Sequence, residues 1–241
     1  MESHFDERGF KNLSRRELLK LSPLLLAGAF VVTRLRTPLL RGGVTFSDWA
    51  AGRFFRRGHP APTYSDSSLT PLDRFPLNSY DTTDPGVDME TWRLRVGGLV
   101  QKPGEYTLAQ IQALPRVRQN TRHCCVEGWD VIGSFGGARL ADFLSLVGAD
   151  PKARYLEVEC ADDYYESIDM ASALHPQSLL CDEMYGQPLT GGHGAPLRLS
   201  IPTKLGYKQA KWLTLLQVSN VQRPDRRGYW EDQGYAWYAG L

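Results

Sequence analysis

A chain of 241 residues with 42% hydrophobic and 11% aromatic content can bury a substantial core, as one large domain or two small ones. Lys and Arg number 28 against 27 for Asp and Glu, so a net charge of +1 gives no overall reason to expect a nucleic-acid partner, and any basic site must be local. Four cysteines (Cys124, Cys125, Cys160, Cys181) without a CxxC pair exclude a disulfide-framed mini-domain and offer no zinc spacing.

The first element in the chain is a targeting pattern. Ser14-Arg15-Arg16 precedes Leu18, Leu19 and Lys20, and an apolar run continues from Leu21 to Val32, broken by Ser22 and Pro23. The run is short for a bilayer span, which needs roughly 20 apolar residues. The segment 1–32 resembles a twin-arginine export signal. Such signals carry folded proteins, so the resemblance implies a cofactor inserted before export and a periplasmic or otherwise extracytoplasmic address. No A-x-A-like cleavage site stands cleanly after the run, so the signal is either removed or kept as an N-terminal membrane anchor. Residues 33–71 are rich in Arg, Pro, Gly and Ser without period, and read as a linker or wrapping arm.

The expected folded domain is 72–241. In TWRLRVGGLV, Trp92, Leu94 and Val96 alternate with Arg93 and Arg95, which predicts a half-buried strand ending at Gly97-Gly98. YTLAQIQALP spaces Leu108, Ile111 and Leu114 for a helix, with Thr107 as cap and Pro115 as stop. LADFLSLVG repeats the device through Leu140, Phe143, Leu144 and Val147 up to Gly148. RYLEVECAD, APLRLSIP and KWLTLLQVSNVQ read as strands. Short helices scattered among strands, without regular βαβ alternation, indicate an α+β fold. With no GxGxxG between a strand and a helix, a nicotinamide or flavin Rossmann site is not expected.

The charge distribution is uneven near the end of this domain. Between Glu183 and Asp225 there is no acidic residue, while Arg198, Lys204, Lys208, Lys211 and Arg223 fall among several glycines. A phosphate-bearing ligand would fit there, and a solvated basic face would look the same.

RHCCVEGW (122–129), GHGAPLRLSIP (192–202) and KLGYKQAKWL (204–213) together resemble the conserved blocks of the molybdopterin-binding domain of the sulfite oxidase superfamily, in the right order over 72–241. CVEGW is more similar to the methionine-sulfoxide reductase branch than to sulfite oxidases proper, which carry an arginine pair after the cysteine. The resemblance makes Cys125 the molybdenum ligand and the residue of the chemistry. A soft thiolate suits a metal already held by the sulfurs of molybdopterin. Cys124 becomes a neighbour facing the other way where the segment is extended. The resemblance also assigns Asn78, Tyr80 and Asp81 of LNSYDTT, Cys160, His193, Arg198, Gln209, Ala210 and Lys211 to the cofactor. Cys160 and His193 depart from the branch, which has threonine and asparagine there.

Around these residues several readings stay open. Glu127 is an acid or base near the metal, or a carboxylate that orients its loop through backbone N–H groups. His123 meets substrate, pterin or only the core. Trp129 reads as core, and Asp162-Asp163 as a solvated turn. The tail aromatics Tyr229, Trp230, Tyr235, Trp237 and Tyr238 wall a funnel or pack the tail onto the domain. The implied protein is an exported molybdenum oxidoreductase that transfers an oxygen atom, reducing S- or N-oxides. It would be a monomer exchanging electrons with a haem-containing membrane partner. The alternatives are a sulfite-type oxidase of a small oxyanion and a non-catalytic binding module of the same fold.

Overall fold

The computed structural model describes residues 59–241 together with Gly43, Phe46 and Ala50. The twin-arginine segment and most of the linker lie outside the described residues. Alternation is realised in β1 (Leu94–Gly98), where Leu94 and Val96 are buried and Arg95 faces solvent. Trp92, just before it, anchors the strand by donating its indole N–H to the Leu213 carbonyl at 2.8 Å. β1 pairs in parallel with β10 (Leu213–Ser219), Val96 opposite Leu216, and antiparallel with the short β2 (Gly104–Tyr106). β10 continues antiparallel to β5 (Tyr155–Cys160), which pairs with β6 (Tyr165–Asp169), giving the order β2-β1-β10-β5-β6.

The second sheet is built on a long hairpin. β3 (Arg116–Cys124) and β4 (Asp130–Arg139) pair from Arg116 opposite Ala138 to Cys124 opposite Asp130. β4 pairs with β7 (Leu179–Met184), which holds β8 (Gln187–Pro188) and β9 (Arg198–Ser200) on its other side. One mixed and one antiparallel sheet with short helices make this an α+β fold.

α1 (Leu108–Gln112) starts with a capping box: Thr107 accepts from the Gln110 backbone N–H and Gln110 accepts from that of Thr107. α2 (Leu140–Leu146) buries Leu140, Phe143 and Leu144. The one-turn α3 (Met170–Ala173) is capped by Asp169. Both sheets feed one large apolar cluster in which Leu94, Leu156, Leu213 and Leu216 are fully buried. Each such leucine contributes about 1.5–3 kcal/mol relative to an exposed one.

The described end of the 33–71 segment lies along the domain as an arm, so ordered structure starts before Leu72: Thr63 bridges Thr121, the Tyr64 and Thr70 N–H groups donate to Asn120 and Ile132 of the hairpin, and Ala61 exchanges two bonds with the Gln177 side chain. These bonds run to the flank of an existing sheet through an irregular segment, which leaves no hydrophobic period. The β3–β4 hairpin was not legible as strands, because β3 is largely polar with Arg116, Arg118 and Arg122 exposed, and β4 carries Gly133 and Gly136 against side chains and Gly137 against the Leu180 backbone.

Candidate active site

The tip of the β3–β4 hairpin places the two adjacent cysteines. Strand geometry puts His123 and Cys124 on opposite faces, and Cys124 closes the ladder against Asp130. The chain then turns: the Cys125 N–H donates to the Trp129 carbonyl at 2.9 Å, the Gly128 N–H to the Cys125 carbonyl at 3.2 Å, and Gly128 takes φ +94°. Cys125 therefore projects into a cleft of about 240 Å³ that Cys124 does not line.

Around Cys125 the polar groups are interlocked. Asn78 donates from Nδ2 to Glu127 Oε2 at 3.1 Å and lies 3.7 Å from Cys125 Sγ. Trp129 donates its indole N–H to the same Glu127 oxygen at 2.9 Å and stacks on His123 at 5.9 Å between centroids. Glu127 thus orients the turn, through side-chain donors rather than the expected backbone ones, and Trp129 walls the cleft instead of joining the core. Burial pushes the Cys125 thiol up, with the Glu127 charge adding to it, while the Glu127 backbone N–H and Asn78 pull it down.

Part of the cleft lining is cationic. Arg198 is buried and donates to the carbonyls of His193 and Leu199 at 3.1 and 3.4 Å. Lys211 donates to the Gly192 carbonyl at 3.0 Å and lies 4.0 Å over the Trp212 ring. Among the described residues neither forms an ion pair. Burial and the Arg198 charge lower Lys211 to about 8. Burial and the same two cations bring His193 to about 4 and, with a Gln209 hydrogen bond opposing, His123 to about 3. Both rings are therefore neutral near pH 7, and His123 Nδ1 is a buried nitrogen without a partner.

Glycine makes this part accessible. Gly194 takes φ +104°, and a Cβ there would sit 2.9 Å from Lys211 Cβ; a Cβ on Gly206 would sit 2.9 Å from His123 Nε2. One buried and one half-buried cation without ion pairs, an orphan imidazole nitrogen and a backbone cradle fit an anionic, heteroatom-rich group such as a phosphorylated pterin.

Of the residues assigned from sequence, Asn78, Tyr80, Cys125, His193, Arg198, Gln209, Ala210 and Lys211 line this cleft. Asp81 is exposed beside it, and Cys160 is buried in the main core with its thiol pushed well up by burial; neither is a lining residue. The basic interval divides. Lys204 pairs with Asp169 at 3.1 Å and Lys208 with Glu166 at 2.7 Å, both inside the protein, and Arg223 pairs with Asp225 at the surface. Their acidic partners lie outside the interval, so a linear charge count could not see them. Asp162 lines the cleft rather than a solvated turn, and its carbonyl accepts from the Tyr80 hydroxyl. The tail also divides: Trp230 and Tyr235 line the cleft, while Trp237 donates to Ser167 Oγ at 2.8 Å and Tyr238 lies against Lys204. Phe75, T-shaped to His193 at 5.4 Å, had no signal in sequence.

Residues 81–230 match the oxidoreductase molybdopterin-binding domain family. The chain belongs to this molybdopterin oxidoreductase family. It is 47% identical to the putative protein-methionine-sulfoxide reductase subunit YedZ1 of Azospira oryzae, covering 81% of this chain and 73% of that one. It is 29% identical to the protein-methionine-sulfoxide reductase catalytic subunit MsrP of Ralstonia nicotianae, over 83% and 71% of the respective chains. The fold is shared with the sulfane dehydrogenase SoxCD of Paracoccus pantotrophus at a TM-score of 0.53 and 22% identity, over 58% of this chain and 41% of that one. As a member of the family the protein is a molybdopterin-dependent oxidoreductase.

Proposed function

We propose that this oxidoreductase reduces sulfoxides, with molybdenum held between molybdopterin and the Cys125 thiolate. The observation that carries this reading is one cleft lined both by the Cys125 thiol, beside Asn78 and Glu127, and by Arg198 and Lys211, cations without ion pairs among the described residues. Arg198 and Lys211 would neutralise the phosphate, with Gln209, Ala210, His193 and His123 around the pterin. The bound group would supply two-electron oxygen-atom transfer at the metal. The chain's own contribution is to keep Cys125 in place through the Asn78–Glu127–Trp129 network and to exclude water with aromatic walls.

The surroundings favour a neutral sulfoxide over an oxyanion. Glu127 brings a carboxylate beside Cys125, and Tyr80, Tyr164, Trp230 and Tyr235 offer faces for a methyl–sulfur group. Sulfoxide reduction consumes two electrons and two protons and releases sulfide and water, so an electron donor is required. The relatives named as a subunit and a catalytic subunit support a separate partner, which we take to be a haem protein of the membrane. Together with Ser14-Arg15-Arg16 this supports twin-arginine export of a monomer to the periplasm.

The test is turnover by the molybdenum- and pterin-loaded protein. Oxidation of a reduced viologen dye that depends on methionine sulfoxide is the expected result. Sulfite-dependent reduction of an artificial acceptor with no response to sulfoxide would overturn the reading.

A further inference from the structure

We propose that Glu166, Lys208 and Glu231 form a positioning device that docks the C-terminal wall of the cleft onto the turn beneath it, and so sets the width of the substrate side. This rests on the sulfoxide reading for the identity of the substrate, but not for the docking itself.

Lys208 is completely buried, and so are both carboxylates. Its Nζ lies 2.7 Å from Glu166 Oε1, contacts Glu231 Oε1 and donates to the Ser167 carbonyl at 3.1 Å. Its chain neighbours Tyr207 and Gln209 both line the cleft, while Lys208 does not. The same short turn therefore presents two side chains to the site and sends the third into the protein to grip the tail. Glu231 belongs to α4 (Tyr229–Asp232), next to Trp230, which lines the cleft with Tyr235.

A helix of one turn has no stability of its own, so its position is set by what it touches. Gly228 bridges Glu166, and a Cβ there would fall 2.6 Å from Glu166 Oε1, so the tail enters close against the cluster. Tyr165 donates to Asp232 Oδ2 at 2.8 Å and Tyr207 to the Ala236 carbonyl at 2.8 Å, on either side of the wall. The wall is continuous with the early loop: Tyr229 lies 4.2 Å from Tyr80 and 5.2 Å from Trp230, and Trp230 5.3 Å from Tyr235. Apolar packing alone would let these rings slide. The fully buried Lys208 ammonium, in contact with both carboxylates, fixes them, because parting it from either would leave a buried charge alone.

Glu231 is thus a positioning residue that acts through Trp230 and Tyr235. In the cofactor-loaded protein, Glu231→Ala is expected to raise KM for methionine sulfoxide about tenfold with kcat within about twofold and unchanged molybdenum and pterin content. Glu231→Gln, which keeps an oxygen for Lys208, is expected to recover most of that KM. Amide exchange in Glu231→Ala should rise over 206–211 and 228–236 and stay unchanged in the β4–β7 pairing. An unaltered KM, or exchange that rises throughout the domain, would overturn the proposal. If Glu231→Ala does not fold, the exchange pattern of Glu231→Gln decides, with faster exchange confined to the same two segments as the supporting result. A wild-type protein that reduces no sulfoxide refutes the proposed activity alone, because the exchange pattern still supports or refutes the docking.

Discussion

The Asn78 amide donates to the Glu127 carboxylate across 3.1 Å, joining a loop before the first strand to the turn at the tip of the β3–β4 hairpin. Because Asn78 also lies 3.7 Å from Cys125 Sγ, one amide spans the carboxylate and the thiol. Asn78→Ala removes the only donor on Glu127 from outside the turn among the described residues. It is expected to lower kcat for sulfoxide about tenfold while pterin content stays near that of the wild type, since Arg198 and Lys211 are untouched. Equal activity in the two proteins would show that the turn holds Cys125 by itself.

The thiol of Cys125 is held up by burial and by the Glu127 charge, so in the metal-free protein it stays protonated near neutral pH. Metal binding must therefore displace its proton. Cys125→Ser replaces a soft ligand with a hard, weakly acidic one; with the pterin still held by Arg198 and Lys211, molybdenum per chain should stay near that of the wild type while the visible absorption of the loaded protein changes and kcat falls at least about tenfold. Cys124→Ser, on the other face of the strand, should leave both unchanged. Absorption spectra and sulfoxide turnover of the two loaded variants check this, and a Cys125→Ser protein with the spectrum and kcat of the wild type would remove Cys125 from the metal.

Arg198 is a buried cation whose hydrogen bonds all go to carbonyls, which orient it without cancelling its charge. An anionic partner is what that charge lacks. Arg198→Met is expected to lower pterin retention through gel filtration at least about tenfold, and Arg198→Lys to restore little of it, because an ammonium cannot reproduce the planar fork. Full pterin retention in Arg198→Met would place the phosphate elsewhere.

Lys211 gives the cofactor-free protein a pH signature. Burial and the Arg198 charge lower it to about 8, so it loses its proton as pH rises through that value. An anion bound beside it favours the charged form, and binding above about pH 8 must then take up a proton. Affinity for the pterin should fall with rising pH there by up to about tenfold per unit, the limit for one proton. Lys211→Met should flatten the profile. An equally steep fall in that variant would assign the proton to another group.

How much of this was legible in sequence differs between fold and site. Elements with a clean period were visible: Leu94 and Val96 in β1 with Trp92 just before it, Leu140, Phe143 and Leu144 in α2, and the alternation of β5. The hairpin that carries Cys125 was visible only as a motif, since its strands are polar on one side and glycine-rich on the other. Arg198 and Lys211, drawn from the family blocks, both line the cleft. Lys204 and Lys208 were indistinguishable from them until Asp169, Glu166 and Glu231 were seen folded against them. His123, Phe75 and Asp162 enter the cleft through tertiary placement of strand ends and loops, for which neither period nor spacing gives a signal.

The buried imidazole of His123 makes acid stability the last property to follow from the site. Burial, with Arg198 and Lys211 adding repulsion, brings its folded pKa to about 3, against an ordinary value of 6.5. Between these limits the unfolded chain binds a proton on this ring and the folded chain does not, so lowering the pH draws the protein toward the unfolded state. The loss is at most about 1.4 kcal/mol per pH unit for one such group, and His193, lowered to about 4, acts in the same direction. The urea midpoint of the cofactor-free protein should therefore fall steadily from pH 6.5 to 4.5, above the range in which most carboxylates titrate. His123→Gln, which cannot take up a proton, should fall less steeply across that interval whatever its midpoint at pH 7. An unchanged slope would mean that water reaches the ring and that the cleft floor around His123 is more open than its burial indicates.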